Sequence, residues 1–159
     1  MSFKLNKFSK EEKIRFLEMK QGYVELSKGA KSALSEADII IYAPGTQHSS
    51  LYPTYMTHGL AESIADNKGA FKVFITNIGA DYETPSYKAS DFFRGAFKYF
   101  NLLEERDFKE NEMADLILVN EKRLKEEISY VELDREALDK IPLTVKIDNY
   151  EDEANPGKH

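Results

Sequence analysis

Asp38-Ile-Ile-Ile-Tyr-Ala-Pro-Gly-Thr-Gln-His-Ser-Ser50 runs an apolar stretch directly into a Pro-Gly break and then into hydroxyl and imidazole side chains. Residues 39–42 are apolar or aromatic without period-two alternation, which predicts a strand covered on both faces, as in a parallel sheet. Residues 71–77, Phe-Lys-Val-Phe-Ile-Thr-Asn, and 115–120, Asp-Leu-Ile-Leu-Val-Asn, repeat the pattern, and Leu-Thr-Val-Lys-Ile at 143–147 follows Pro142 as a last strand. Helical spacing fills the intervals. Ala30, Ala33, Leu34 and Ala37 share one face, Leu60 and Ile64 another, and Phe92, Phe93, Ala96, Phe97, Phe100 and Leu103 make a broad apolar face opposite Arg94, Lys98 and Asn101. Further helices are expected over 10–22, over the charged run 121–127, and over 134–140 with Asp134 as its cap. Alternating strands and helices predict a three-layer, Rossmann-like α/β domain with a mostly parallel sheet and right-handed crossovers. Its expected span is 27–150, with 1–26 an extension or the remnant of a preceding half, and 151–159 a tail or a truncated connection.

Composition narrows the function. The 159 residues include 42% hydrophobic side chains, ten Phe and nine Tyr, enough for one core. The net charge is −6 and no basic cluster alternates with aromatics, which argues against a nucleic-acid partner. The lack of cysteine removes disulfides, thiolate metal sites and cysteine nucleophiles. The three histidines, His48, His58 and His159, lack the spacing of a zinc site. No apolar run is long enough to span a membrane and no signal-peptide core is present, so the expectation is a cytoplasmic protein with no membrane partner.

In an open parallel sheet ligands bind beyond the carboxyl ends of the strands. Three such ends are polar here: 44–50, 77–84 and 120–121. In the first, Gly45 lets successive backbone N–H groups turn toward a ligand, Thr46, Ser49 and Ser50 add hydroxyls, and Ser49 or Ser50 can cap a following helix whose N-terminus favours an anion. The two readings are a phosphate cradle and a strand-to-helix turn with a serine cap. His48 can donate to a phosphate, act as an acid or base near neutral pH, or simply face water. Asp81 and Glu83 suit Mg²⁺ held against phosphates, or a solvated turn. Asn77 and Asn120, each ending a strand, can contact the ligand or tie loops together. The candidate catalytic residues are therefore His48, Asp81 and Glu83. The phosphate-binding set is Gly45, Thr46, Ser49, Ser50, Asn77 and Asn120, and the metal pair is Asp81 with Glu83.

Three separated segments resemble one family. Ala43-Pro-Gly-Thr-Gln-His-Ser-Ser50 is similar to the Gly-Pro-Gly-Ser-Leu-Tyr-Thr-Ser loop of the 2-phospho-L-lactate transferase (CofD-like) family, which also contains the gluconeogenesis factors. Gly59-Leu-Ala-Glu-Ser-Ile64 looks like its Gly-Ile-Ala-Glu-Ala-Ile. Residues 77–84 resemble its Asn-Leu-Met-Thr-Gln segment ending Gly-Glu-Thr, with Glu83 and Thr84 as counterparts. Asp91 matches the acidic residue opening the next helix, and 115–120 the strand ending Val-Asn. The resemblance implies a domain that binds a phosphorylated ligand, a nucleotide or nucleotide-linked compound, and transfers a phosphoryl-linked group with a divalent metal. The alternative it implies is a non-catalytic regulator that binds a nucleotide sugar. Gln47 and His48 stand where the family has Leu and Tyr, and Phe92 where it has His. The family's opening Gly-rich phosphate loop has no counterpart, so the chain is expected to be the C-terminal portion of a larger CofD-like domain, partnered by a second copy or by the missing N-terminal half.

Overall fold

A computed structural model of the chain describes residues 22, 24–80, 82–121 and 123–157. The helix expected over 10–22 lies outside this set apart from Gly22, as do Asp81 and His159. Four strands, β1 (Ile39–Tyr42), β2 (Phe71–Ile75), β3 (Leu116–Asn120) and β4 (Thr144–Asp148), form one sheet in the order β1-β2-β3-β4, every pair parallel. The register sets Ile39 beside Phe71, Val73 beside Leu116, and Leu116 beside Thr144. Among the described residues the α-helices are α1 (Lys28–Glu36), α2 (Tyr52–Tyr55), α3 (Leu60–Asp66), α4 (Ala89–Asn101), α5 (Glu110–Met113) and α6 (Arg135–Leu138). The fold is Rossmann-like α/β, with helices flanking a wholly parallel sheet.

The core explains why these residues take these places. Ile40, Tyr42, Phe74, Ile117 and Val119 project from the sheet into a buried cluster with Tyr52, Tyr55, Phe92, Phe93 and Phe100 from α2 and α4. Ring packing locks the layers: Tyr42 meets Tyr55 at 6.3 Å and Phe100 at 5.5 Å, and Phe74 meets Phe93 edge-on at 5.5 Å. The Tyr42 hydroxyl donates to the Met113 carbonyl at 2.6 Å, tying β1 to α5. Burial pushes the Tyr55 phenol up to about 12, and raises those of Tyr42 and Tyr52 further. Phe92 is fully buried in this core.

Ends of elements are fixed by neighbours as much as by their own residues. Ser27 caps α1, its Oγ accepting from Ala30 N at 3.2 Å. Asn67 closes α3 and donates to the Leu34 and Ala37 carbonyls at 2.7 and 2.9 Å, joining α3 to the end of α1. Gly59, at φ +79°, supplies the left-handed turn before α3.

Four expectations are corrected. Asp134 does not cap the helix that follows it; its carboxylate crosses to α4, accepting from Ser90 N at 3.0 Å and Ser90 Oγ at 2.6 Å. Neither Ser49 nor Ser50 caps the helix after β1, because both lie inside the turn Gln47–Leu51 and the N-cap position of α2 is Leu51. The described residues of the charged run 121–127 form no helix, for the Leu124 and Lys125 N–H groups donate to the Tyr130 hydroxyl, at 3.0 and 3.1 Å. Leu103 falls beyond α4 and is exposed.

Lys72, on the inward side of β2, is buried and donates from Nζ to the Glu112 carbonyl at 3.0 Å. Burial lowers its pKa against the opposing pull of Asp115 and Glu112. Glu151, first of the residues read as a tail, is only 5% exposed and accepts from the Tyr130 hydroxyl at 2.6 Å and from Leu124 N at 3.0 Å.

Candidate functional site

The carboxyl ends of β1, β2 and β3 lie side by side, as their parallel register requires, so the loops that leave them converge. After β1 the backbone widens into a π turn, Gln47–Leu51, in which Leu51 N bonds to Thr46 O at 3.1 Å, before it tightens into α2. Such turns are rare and recur at functional sites, and the first N–H groups of a helical turn have no partner within it.

The exposed groups of this turn converge on one atom. His48 N and Ser49 N both donate to Oε2 of Glu83, at 2.9 and 3.0 Å. The loop after β1 thus presents paired N–H donors to an anionic oxygen, the geometry of a backbone anion nest, and the seat is taken by the chain's own carboxylate. Thr46 stands at the N-terminal boundary of the turn without a side-chain cap, while Ser50 uses its carbonyl to accept from Thr54 Oγ1 at 3.0 Å.

Asn77 holds the second loop to the first. Its Oδ1 accepts from Gly45 N at 3.1 Å and its Nδ2 donates to Gly45 O at 3.0 Å. Gly45 O also accepts from the Gln47 amide at 2.8 Å. Gln47 is 1% exposed, and its Oε1 has no hydrogen-bond partner, the cost of an amide where an aliphatic side chain would sit dry. Asn120 plays a parallel part at the end of β3, accepting from Tyr150 N at 2.9 Å.

His48 is exposed and held from two sides: its Nε2 is 3.3 Å from the Tyr87 hydroxyl, and its ring meets Tyr52 edge-on at 5.0 Å. The Tyr52 hydroxyl in turn donates to Tyr87 at 3.5 Å.

Beside Asn77 the ends of β2 and β3 enclose a cavity of about 210 Å³, lined among others by Thr76, Asn77, Asn120, Arg123 and Tyr130. Arg123 lies over the Tyr130 ring at 5.8 Å, and Tyr130 is fixed from behind by Glu151. Glu121, at the same rim, is paired with Arg135.

The expected site residues therefore fall into two linked places. Gly45, Thr46, His48, Ser49, Ser50 and Glu83 belong to the β1 loop and its carboxylate; Asn77 and Asn120 line the cavity. Tyr87, Arg123, Tyr130 and Glu151 are additions. Arg123 sits in a run of charges that sequence gives no reason to divide, and Glu151 lies 21 residues from the hydroxyl it binds. Among the described residues, no group of three His, Cys, Asp or Glu side chains is placed to hold a metal ion. Nor is any helix among them long and apolar enough to cross a membrane.

The same architecture occurs in solved proteins. Two crystal structures of a UPF0052-family protein from Bacillus halodurans superpose with a TM-score of 0.69 each, at 22% and 20% identity, covering 85% and 84% of this chain and 44% of theirs. These place the chain in the class of Rossmann-like α/β proteins. The profile of 2-phospho-L-lactate transferase CofD matches residues 3–152, and the chain belongs to that family. Similar relatives are a gluconeogenesis factor of Listeria innocua, 31% identical over 118 residues, covering 70% of this chain and 34% of that one, and a putative gluconeogenesis factor of Thermotoga maritima, 27% identical over 114 residues, covering 65% and 33%. The chain spans about a third of the length of these relatives.

Proposed function

We propose that this chain binds a phosphorylated ligand, a nucleotide or nucleotide-linked compound, across the loops that follow β1 and β2. The observation that supports the reading is the convergence of His48 N and Ser49 N on a single carboxylate oxygen. Donors so arranged suit a phosphate oxygen as well as a carboxylate oxygen, and a dianion offers them more charge. In this reading the ligand's phosphate displaces Glu83 and takes the two N–H groups, with Thr46, Ser49 and Ser50 hydroxyls around it. Asn77 and Asn120, with Arg123 behind them, border the room left for the rest of the ligand.

Glu83, once displaced, together with Asp81 would supply the hard oxygen ligands that Mg²⁺ prefers, and the ion would offset phosphate charge during group transfer. If the chain takes part in transfer, His48, held by Tyr87, is its acid or base. The second reading, a regulator that binds a nucleotide sugar without turnover, is favoured by the names of the curated relatives, which are called gluconeogenesis factors.

The test is a thermal-shift series with inorganic phosphate, nucleoside diphosphates and nucleotide sugars, with and without Mg²⁺, followed by product analysis. Stabilisation by phosphate compounds is expected, and Gly45→Val should remove it while leaving circular dichroism unchanged. An identical shift in that variant takes the β1 loop out of the site. Product formation selects the transferase reading, and stabilisation without product selects the regulator.

A further inference from the structure

Beside the seat that Glu83 fills, three ring side chains form a short chain from the core to the surface. Tyr52, on α2, is 1% exposed and stacks on Tyr99 at 4.2 Å. Its hydroxyl meets that of the half-buried Tyr87 at 3.5 Å, and the Tyr87 hydroxyl lies 3.3 Å from Nε2 of the exposed His48. The imidazole packs edge-on against both phenol rings, at 5.0 and 6.0 Å. Tyr87 is backed by the fully buried Phe92 at 5.4 Å.

Burial sets the direction of the protons along this chain. Among the described residues the Tyr52 hydroxyl has Tyr87 as its hydrogen-bond partner. A buried O–H needs an acceptor, so Tyr52 donates and the Tyr87 oxygen accepts. Desolvation raises the Tyr52 phenol, which keeps that proton in place. The Tyr87 O–H is then left for its other neighbour, and His48 Nε2 receives it. A neutral imidazole that accepts at Nε2 carries its own proton on Nδ1. Nδ1 is bonded to Cγ, so it is the ring nitrogen nearer along the chain to the His48 backbone N–H, which already points at the seat.

We propose that Tyr87, with Tyr52 behind it, is a positioning residue that fixes neutral His48 as the Nδ1–H tautomer, so that the imidazole offers the anion seat a third N–H donor beside those of the His48 and Ser49 backbone. The identity of the anion rests on the phosphate reading of the β1 loop; the tautomer does not. The part of His48 becomes narrower. With Nε2 occupied and Nδ1 protonated, the ring acts as a neutral hydrogen-bond donor and not as a base, a role that neutral imidazoles fill in other sites. Three donors suit a terminal phosphate, which presents three acceptor oxygens, better than a phosphodiester or a carboxylate, which present two. The ligand class is therefore one that ends in a phosphate monoester.

The tautomer is read by long-range proton–nitrogen NMR of the full chain labelled with nitrogen-15, at about pH 8.5, where an ordinary imidazole is neutral. The chain has three histidines, and His48→Gln assigns the signals of this one. The expected result is a protonated Nδ1 and an unprotonated Nε2, the reverse of a solvated imidazole, which prefers its proton on Nε2. Tyr87→Phe keeps the ring against Phe92 and should return His48 to the solvated pattern, and Tyr52→Phe should move it part of the way. Circular dichroism and the unchanged His58 signals check that both variants fold. A proton on Nε2 in the native chain, or a protonated Nδ1 that survives Tyr87→Phe, overturns the proposal. The second arm is calorimetric titration with inorganic phosphate at the same pH, in which Tyr87→Phe should weaken binding about tenfold, the worth of one misdirected hydrogen bond. Equal affinity in the two chains overturns the donor role. A native chain that does not bind phosphate removes the phosphate site and with it that role, while the NMR arm still decides whether Tyr87 sets the tautomer.

Discussion

Asn77 and Gly45 hold each other by two hydrogen bonds, amide oxygen to backbone N–H and amide N–H to backbone carbonyl, so the loops after β1 and β2 move as one. Asn77→Ala removes both and should cost about 1–3 kcal/mol in urea unfolding. Exchange of the Gly45 amide should quicken more than that of strand amides. Asn77→Asp should be at least as damaging, because it sets a carboxylate oxygen against the Gly45 carbonyl.

Glu83 competes with the proposed ligand for the same two N–H groups. Glu83→Gln keeps an acceptor but loses the charge that roughly doubles such bonds, so inorganic phosphate should bind about tenfold more tightly, equivalent to roughly 1.4 kcal/mol. Calorimetric titration reads this directly. Weaker binding would make Glu83 a ligand contact and not a competitor.

Gly95 on α4 faces Tyr52. A Cβ there would overlap the Tyr52 hydroxyl and come within 2.9 Å of Cζ. Gly95→Ala should therefore destabilise the chain by about 1–3 kcal/mol, the usual range for overpacking. Tyr52→Phe in the same chain should recover part of that loss, a coupling measurable by a double-mutant cycle. Additive effects would show that the helix shifts instead.

Alkali should unfold the chain through Tyr42 and Tyr55. Burial raises both phenols above the ordinary 10.0, Tyr55 to about 12. The folded state keeps these protons after the unfolded state has lost them, so stability is full below pH 10 and falls as pH rises toward 12. The slope is about 1.4 kcal/mol per pH unit for each phenol. Lys72 works in the other direction, since its lowered pKa makes stability rise with pH just below the ordinary lysine value of 10.5. A denaturation series from pH 9 to 12 should show the decline, and Tyr42→Phe should flatten it.

The strands and main helices could be read from local pattern because each answers to its own residues. The run at 39–42 is a strand, and the Phe-rich stretch is α4. What local pattern hides is cover. Four apolar residues in a row implied burial on both faces, yet Ile40 and Tyr42 are buried while Ile39 and Ile41 are open, a difference set by what packs on the sheet. The cap at Asp134 was misread for a related reason, and Glu83 suggested a metal ligand or a solvated turn; each carboxylate instead serves another element, 44 and about 34 residues away. The glycine and hydroxyl residues of the β1 loop were visible as a site, whereas the partner that fills it was not.

Strand order equals chain order in this sheet, and that shapes how it is made. Each strand pairs with the one synthesised just before it, across separations of about 30 to 45 residues. The sheet can therefore grow as the chain leaves the ribosome, one strand at a time, with the newest edge always awaiting the next strand. Among the four described strands β1 is made first, so β2, β3 and β4 each meet an edge already in place.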